Sequence, residues 1–117
     1  MTEEARMGRI EVSPAAIAGL AAAAVLECYG VVGMASRTLY SGLVDVLQRE
    51  SYRRGVQVRV VDQQIVIDLY VVLEYGVRIS EVAHNVMENV KFRVEKALGV
   101  PIEEVNVHVQ GLRISVK

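Results

Sequence analysis

His84, His108, Cys28 and Asp68 are the side chains here with the clearest capacity for chemistry, because imidazole, thiol and carboxylate are the usual metal ligands, bases and nucleophiles. Their spacing argues against each role. The histidines stand far apart, His84 on the polar side of a helical pattern and His108 in a strand pattern, with no HxxxH or HxH spacing and no cysteine at zinc spacing. Both read as solvated or locally hydrogen-bonded side chains, and no metal is expected. Cys28 has no CxxC partner and lies in an alanine-rich stretch, which favours a buried, inert thiol over a nucleophile. Asp68 could pair with His108 or Arg59 across a sheet face, and a carboxylate beside an imidazole is the minimum for acid–base work. No serine or cysteine nucleophile can be set beside that pair from the sequence, so a solvated sheet face is favoured. Glycine-rich phosphate loops are absent, since GVVG and GLVD match neither the dinucleotide fingerprint nor a Walker A loop. The expectation is no catalytic residue, no cofactor and no enzymatic activity.

What the chain offers instead is surface. Arg59, Asp68, Tyr70, Glu74 and His108 fall on one side of strand patterns whose other side is apolar, while Glu88 and Phe92 lie on the outward side of a helical pattern. Phe92 is the only phenylalanine, and exposed aromatics on a helix are favoured anchors for protein partners. These seven residues form the candidate partner surface. Nucleic acid is not the expected partner: 13 basic against 14 acidic residues give a net charge of −1, Tyr70 is the one aromatic on the inner strands of that face, and no KH-type GxxG loop appears.

The elements that must hold these residues follow from periodicity. At 117 residues the chain is expected to form one domain, with 1–7 as a flexible N-terminal tail. A short strand over residues 8–12 ends at Ser13-Pro14, an N-cap followed by a favoured first helical residue. The helix it starts has an apolar stripe of Ile17, Leu20, Ala21, Ala24, Val25 and Cys28, and Gly30 is a fitting terminator. VVGMAS is then either a short strand or an extended connector, and residues 39–48 fit a short second helix. Val56, Val58 and Val60 share one face of a strand, joined by DQQ to a second strand with Ile65, Ile67, Leu69, Val71 and Leu73 on one face and Val66, Asp68, Tyr70, Val72 and Glu74 on the other. A long helix follows Gly76, with Ile79, Val82, Val86, Val90, Val94 and Ala97 inward, and a Lys91–Glu95 pair outward. Gly99 and Pro101 stop it. The last strand alternates Val105, Val107 and Val109 with Asn106, His108 and Gln110 until its phase slips at Gly111, as at a bulge. The expected architecture is α+β: a two-layer sandwich, a mainly antiparallel sheet of three to four strands with two to three helices on one face. The polar N-terminus lacks a secretory pattern, and the longest apolar run, residues 14–26, falls short of the roughly 20 residues that span a bilayer, so no direct membrane insertion is expected.

Several segments in this order resemble the alkaline shock protein family, envelope-stress-response proteins of mainly Gram-positive bacteria. They are the I-x-V-x₄-I-A opening at Ile10 to Ala18, GVVGM from Gly30, VVLEYG from Val71 and VNVHVQGL from Val105 to Leu112. The resemblance implies a small cytoplasmic protein without known enzymatic activity, linked to cell-envelope homeostasis through protein contacts, with self-association or a separate membrane-anchor protein as the partner. The lack of long charged tails points to the compact members, some associated with a fatty-acid or dihydroxyacetone-type kinase system. An accessory role to such a kinase, or small-ligand binding at Arg59, Asp68 and His108, is the alternative.

Overall fold

The structure, a computed structural model, describes residues 2–5, 8–35, 46–47, 52 and 54–114. Strands β1 (Thr2–Ala5) and β2 (Gly8–Glu11) form a two-stranded antiparallel ribbon with Thr2 opposite Glu11 and Ala5 opposite Gly8. The tail expected over residues 1–7 is thus a strand at 2–5. Its mixed polar sequence lacks the alternation that marks strands, and only pairing with β2 makes it one.

Helix α1 (Pro14–Leu26) begins as its sequence dictates: the Ser13 side chain accepts a hydrogen bond from the Ala16 N–H (3.1 Å), and Pro14 takes the first helical position. The buried face is Ile17, Ala18, Ala21, Ala22, Ala24 and Val25, whereas Leu20 stands outside. The face is rotated from the expected stripe because alanines, not the longer leucine, let α1 approach its neighbours closely. Gly30 does adopt a positive φ of 87°, four residues past the helix end. Only glycine suits the position on both counts, since a Cβ there would also stand 3.0 Å from Val82 Cγ2 on the next helix.

VVGMA forms a true strand, β3 (Val31–Ala35), which carries β4 (Val46–Leu47) on its far side. Most of the helix expected over 39–48 lies outside the described residues, and at Val46–Leu47 the chain is strand. Strands β5 (Val56–Val61) and β6 (Gln64–Glu74) make the expected hairpin, in the register Val56↔Leu69 to Val61↔Gln64. Its turn is Asp62-Gln63, with φ of 51° and 65°, the mirror-image geometry whose twist suits a two-residue hairpin. Helix α2 (Ile79–Leu98) ends at Gly99 in the left-handed conformation, where the Gly99 N–H donates to the Glu95 carbonyl. It buries Val82, Val86, Val90 and Val94, while Ile79 and Ala97 at its two ends lie outside. Lys91 does not pair with Glu95, whose carboxylate instead accepts from the Ile102 N–H (2.8 Å) and ties the connection after α2 back to the helix.

Strand β7 (Glu104–Arg113) pairs with β6 in parallel, from Val66↔Glu104 to Glu74↔Arg113, with a register shift between Val71 and Val72. This is the bulge whose phase slip the sequence shows at Gly111. Since β7 takes one edge of β6, β5 and β3 share the other, β5 along its first half and β3, through Val31↔Leu73 to Met34↔Val71, along its second. Both helices pack on one face, and a single core joins Ile17, Ala21 and Val25 to Ile67, Leu69, Val71 and Leu73 and to Val86, Val90 and Val94. The fold is α+β with its helices on one side. Burying each of these branched side chains contributes about 1.5–3 kcal/mol.

Candidate functional site

The helix-free face of β6 is not a solvated one. Flanked on both edges, β6 buries Val66, Asp68 and Val72 on this side as well, and Asp68 is only 5% exposed. Asp68 is the one buried charged side chain among the described residues, so its charge needs partners nearby. It has three. Arg59 Nε donates to Oδ2 (2.9 Å), while Asn106 Nδ2 (3.1 Å) and His108 Nε2 (3.2 Å) donate to Oδ1.

The sheet register makes this arrangement. Asn106 stands directly opposite Asp68 across β6–β7, and His108 directly opposite Tyr70. The His108 and Tyr70 rings therefore stack, with centroids 4.6 Å apart and planes 11° from parallel. On the other edge Arg59 sits opposite Val66, one same-face step along β6 from Asp68, and its long side chain spans the diagonal. Burial by itself would push the Asp68 carboxyl up. The hydrogen bonds from Arg59, His108 and Asn106 and the Arg59 charge outweigh it and hold the carboxyl below its ordinary value.

A carboxylate whose two oxygens are engaged by three donors, and whose proton affinity is lowered, is an anchor rather than a general base. It fixes the His108 ring as an orienting carboxylate would, yet among the described residues no hydroxyl or thiol hydrogen-bonds to His108. The anchored side chains reach solvent: the Arg59 and His108 side chains are 46% and 41% exposed against 7% for Asp68. The result is a cationic and aromatic surface held rigidly from beneath by a buried charge.

Of the seven residues singled out from the sequence, four meet here: Arg59, Asp68, Tyr70 and His108. Glu74 lies six residues on along β6, about 20 Å away at strand spacing, and joins a different corner of the molecule. Glu88 and Phe92 are on the outer side of α2, with the core between them and this face. There Glu88 lies 3.4 Å from exposed His84, and Lys96 Nζ sits 5.7 Å from the centroid of the Phe92 ring. Sequence reasoning passed over Asn106. Its signal was the spacing it shares with His108, two residues apart like Asp68 and Tyr70, and it becomes legible only once β7 is known to run parallel to β6.

Cys28, half-buried, is bonded rather than poised: its thiol donates to the Ala24 carbonyl (3.4 Å) and meets Asn89 Nδ2 at 3.5 Å, and burial pushes the thiol up. Among the described residues no group of three histidine, cysteine or acidic side chains is placed to share a metal ion, and no helix is long and apolar enough to cross a membrane.

These features define a small α+β domain that presents a polar, aromatic sheet face opposite its helices. Compared with known proteins, residues 2–114 match the alkaline shock protein family, described as having a cell envelope-related function. The chain belongs to that family. It is 45% identical over 111 residues to the uncharacterized protein YloU of Bacillus subtilis (strain 168), covering 94% of this chain and 92% of that one. It is 42% identical over 108 residues to the uncharacterized protein Spy1614 of Streptococcus pyogenes serotype M6, covering 92% and 89%. A second Bacillus subtilis protein, the uncharacterized YqhY, is 31% identical over 115 residues, covering 98% and 84%. No solved structure matches the chain.

Proposed function

We propose that the chain is a non-enzymatic protein-interaction module in a cell-envelope function, and that the face built on Arg59, Asp68, Tyr70, Asn106 and His108 is its contact surface. The observation that carries this reading is the buried Asp68. A charge placed under an open sheet face and saturated by three donors has no use in packing the core, but it holds Arg59 and the Tyr70–His108 stack in fixed positions. Arginine and tyrosine are among the residues that dominate binding energy at protein interfaces, and side chains already ordered lose less entropy on contact. In this reading the chain acts from the cytoplasm and reaches the envelope through its partner, either a further copy of itself or a separate membrane-held protein.

The test compares captures by the immobilised full chain from lysate and membrane extract of the source organism. Tyr70→Ala and Arg59→Glu are expected to lose proteins that wild type and Phe92→Ala retain, with the folded state of each variant checked by circular dichroism. Should the sheet-face variants capture the same proteins as wild type while Phe92→Ala loses them, the contact surface is the outer side of α2 and the reading is wrong.

A further inference from the structure

A second feature is independent of the sheet face: an open cavity of about 450 Å³ where the chain turns from β6 into α2. We propose that it is a binding site for a guanidinium group, presented as an arginine side chain on an extended segment of a partner protein. Its lining includes two tyrosines from separate parts of the chain, Tyr29 after α1 and Tyr75 after β6, which are 81% and 66% exposed. They are brought to the same corner by backbone contacts that leave their side chains unused. The Glu74 N–H donates to the Gly30 carbonyl (2.8 Å), the Tyr75 N–H donates to the Arg113 carbonyl (2.8 Å), and Gly30 admits Val82 of α2 against the turn.

The charge in the cavity is the second observation. Three charged side chains line it, and two of them neutralise each other: Glu81, in the first turn of α2, is ion-paired with Arg78. Glu74 has neither a hydrogen bond nor an ion pair to its carboxylate among the described residues, although it is half-buried. A carboxylate that makes no hydrogen bond or ion pair of its own, in a cavity lined also by two exposed tyrosines, suits a cation, and a planar guanidinium satisfies both elements best, through paired N–H···O bonds to the carboxylate and stacking on a ring. The opening to solvent and the exposed Asn85 amide at its rim suit a ligand carried on a peptide chain, whose backbone the amide can bond, better than an enclosed metabolite.

The test is titration of the ¹⁵N-labelled full chain with the blocked peptides acetyl-Gly-Arg-Gly-amide and acetyl-Gly-citrulline-Gly-amide, the second being uncharged but of equal shape, and with free arginine. The arginine peptide is expected to shift the backbone amides of Tyr75, Gly76 and Val77 with a Kd in the millimolar range, and Glu74→Gln, which keeps size and shape, should weaken it about tenfold. Arg113→Gln, which removes the cation opposite Glu74 in the β6–β7 register, should leave the affinity unchanged or raise it. Equal binding of the citrulline peptide, an unchanged Kd in Glu74→Gln, or no shift at this corner at about 20 mM peptide would each overturn the proposal. Binding of free arginine more tightly than the peptide would overturn the assignment to a protein partner.

Discussion

Arg59 and Asp68 make an ion pair whose two halves differ sharply in exposure, and that asymmetry predicts what happens when each is removed. In Asp68→Asn the orphaned Arg59 guanidinium, already half in water, rehydrates, so the loss is expected to be about 1.5 kcal/mol, the lower range for a hydrogen bond to a charged group. In Arg59→Ala the carboxylate left behind is almost fully buried and keeps only Asn106 and His108, so about 2 kcal/mol is expected at pH 7. A double-mutant cycle should then return a coupling energy of about 1.5 kcal/mol, against 0.2–1 for an exposed pair. The pH dependence gives a second reading of the same term. A carboxyl held below its ordinary value adds stability above the unfolded value, near pH 4, and loses it as pH falls through the lower folded value. Arg59→Ala removes part of that lowering, so the gap between wild type and variant should narrow on going from pH 7 to about pH 3. Urea unfolding followed by circular dichroism at both pH values measures the two losses, the coupling and the change in the gap. A coupling energy below about 0.5 kcal/mol, or a gap that widens with acid, would refute the argument that Asp68 is a buried charge dependent on Arg59.

Other perturbations separate the remaining contributions. Gly30→Ala, which combines a positive φ with a Cβ pressed against Val82, should cost about 2–3 kcal/mol, whereas Gly99→Ala, strained in φ but with open space around it, should cost about 1 kcal/mol; thermal unfolding distinguishes them. Val86→Ala, at a fully buried position between α2 and the sheet, should lower stability by about 2–3 kcal/mol in urea titration. Phe92→Ala, which removes an exposed ring and a surface cation–π contact, should change it by no more than about 0.5 kcal/mol in the same assay. Cys28, with its thiol pushed up by burial, should alkylate with iodoacetamide at pH 7 at least about tenfold more slowly than free cysteine, the rate rising as pH passes the ordinary thiol range.

Much of this fold is written locally. Ser13-Pro14 starts α1, Gly99 ends α2, the alternation of Ile65 to Leu73 sets the core face of β6, and the phase slip at Gly111 marks a bulge that exists. These are signals in which a few adjacent residues decide the backbone. The errors fall where the deciding partner is distant. Thr2–Ala5 is a strand only because β2 pairs with it, and Leu20 is outside because of what alanines permit at the helix contacts. The environment of Asp68 is not encoded locally at all. Whether a carboxylate on an alternating strand is wet or buried depends on how many neighbours the strand has, and β6 has neighbours along both edges. The parallel register that sets Asn106 against Asp68 and His108 against Tyr70 is a non-local fact, which no periodicity in either strand contains.

The parallel docking of β7 also has a consequence in time. Parallel strands need a crossover, here α2, so Asn106 and His108 leave the ribosome only after the hairpin that carries Asp68 and Arg59 has had the opportunity to form. A nascent chain that has reached the end of α2 holds a carboxylate with one of its three ligands, and it gains the other two only when β7 settles along β6. The anchoring of Asp68 is therefore completed late, by the last strand to join β6, and until then its carboxylate relies on Arg59 alone.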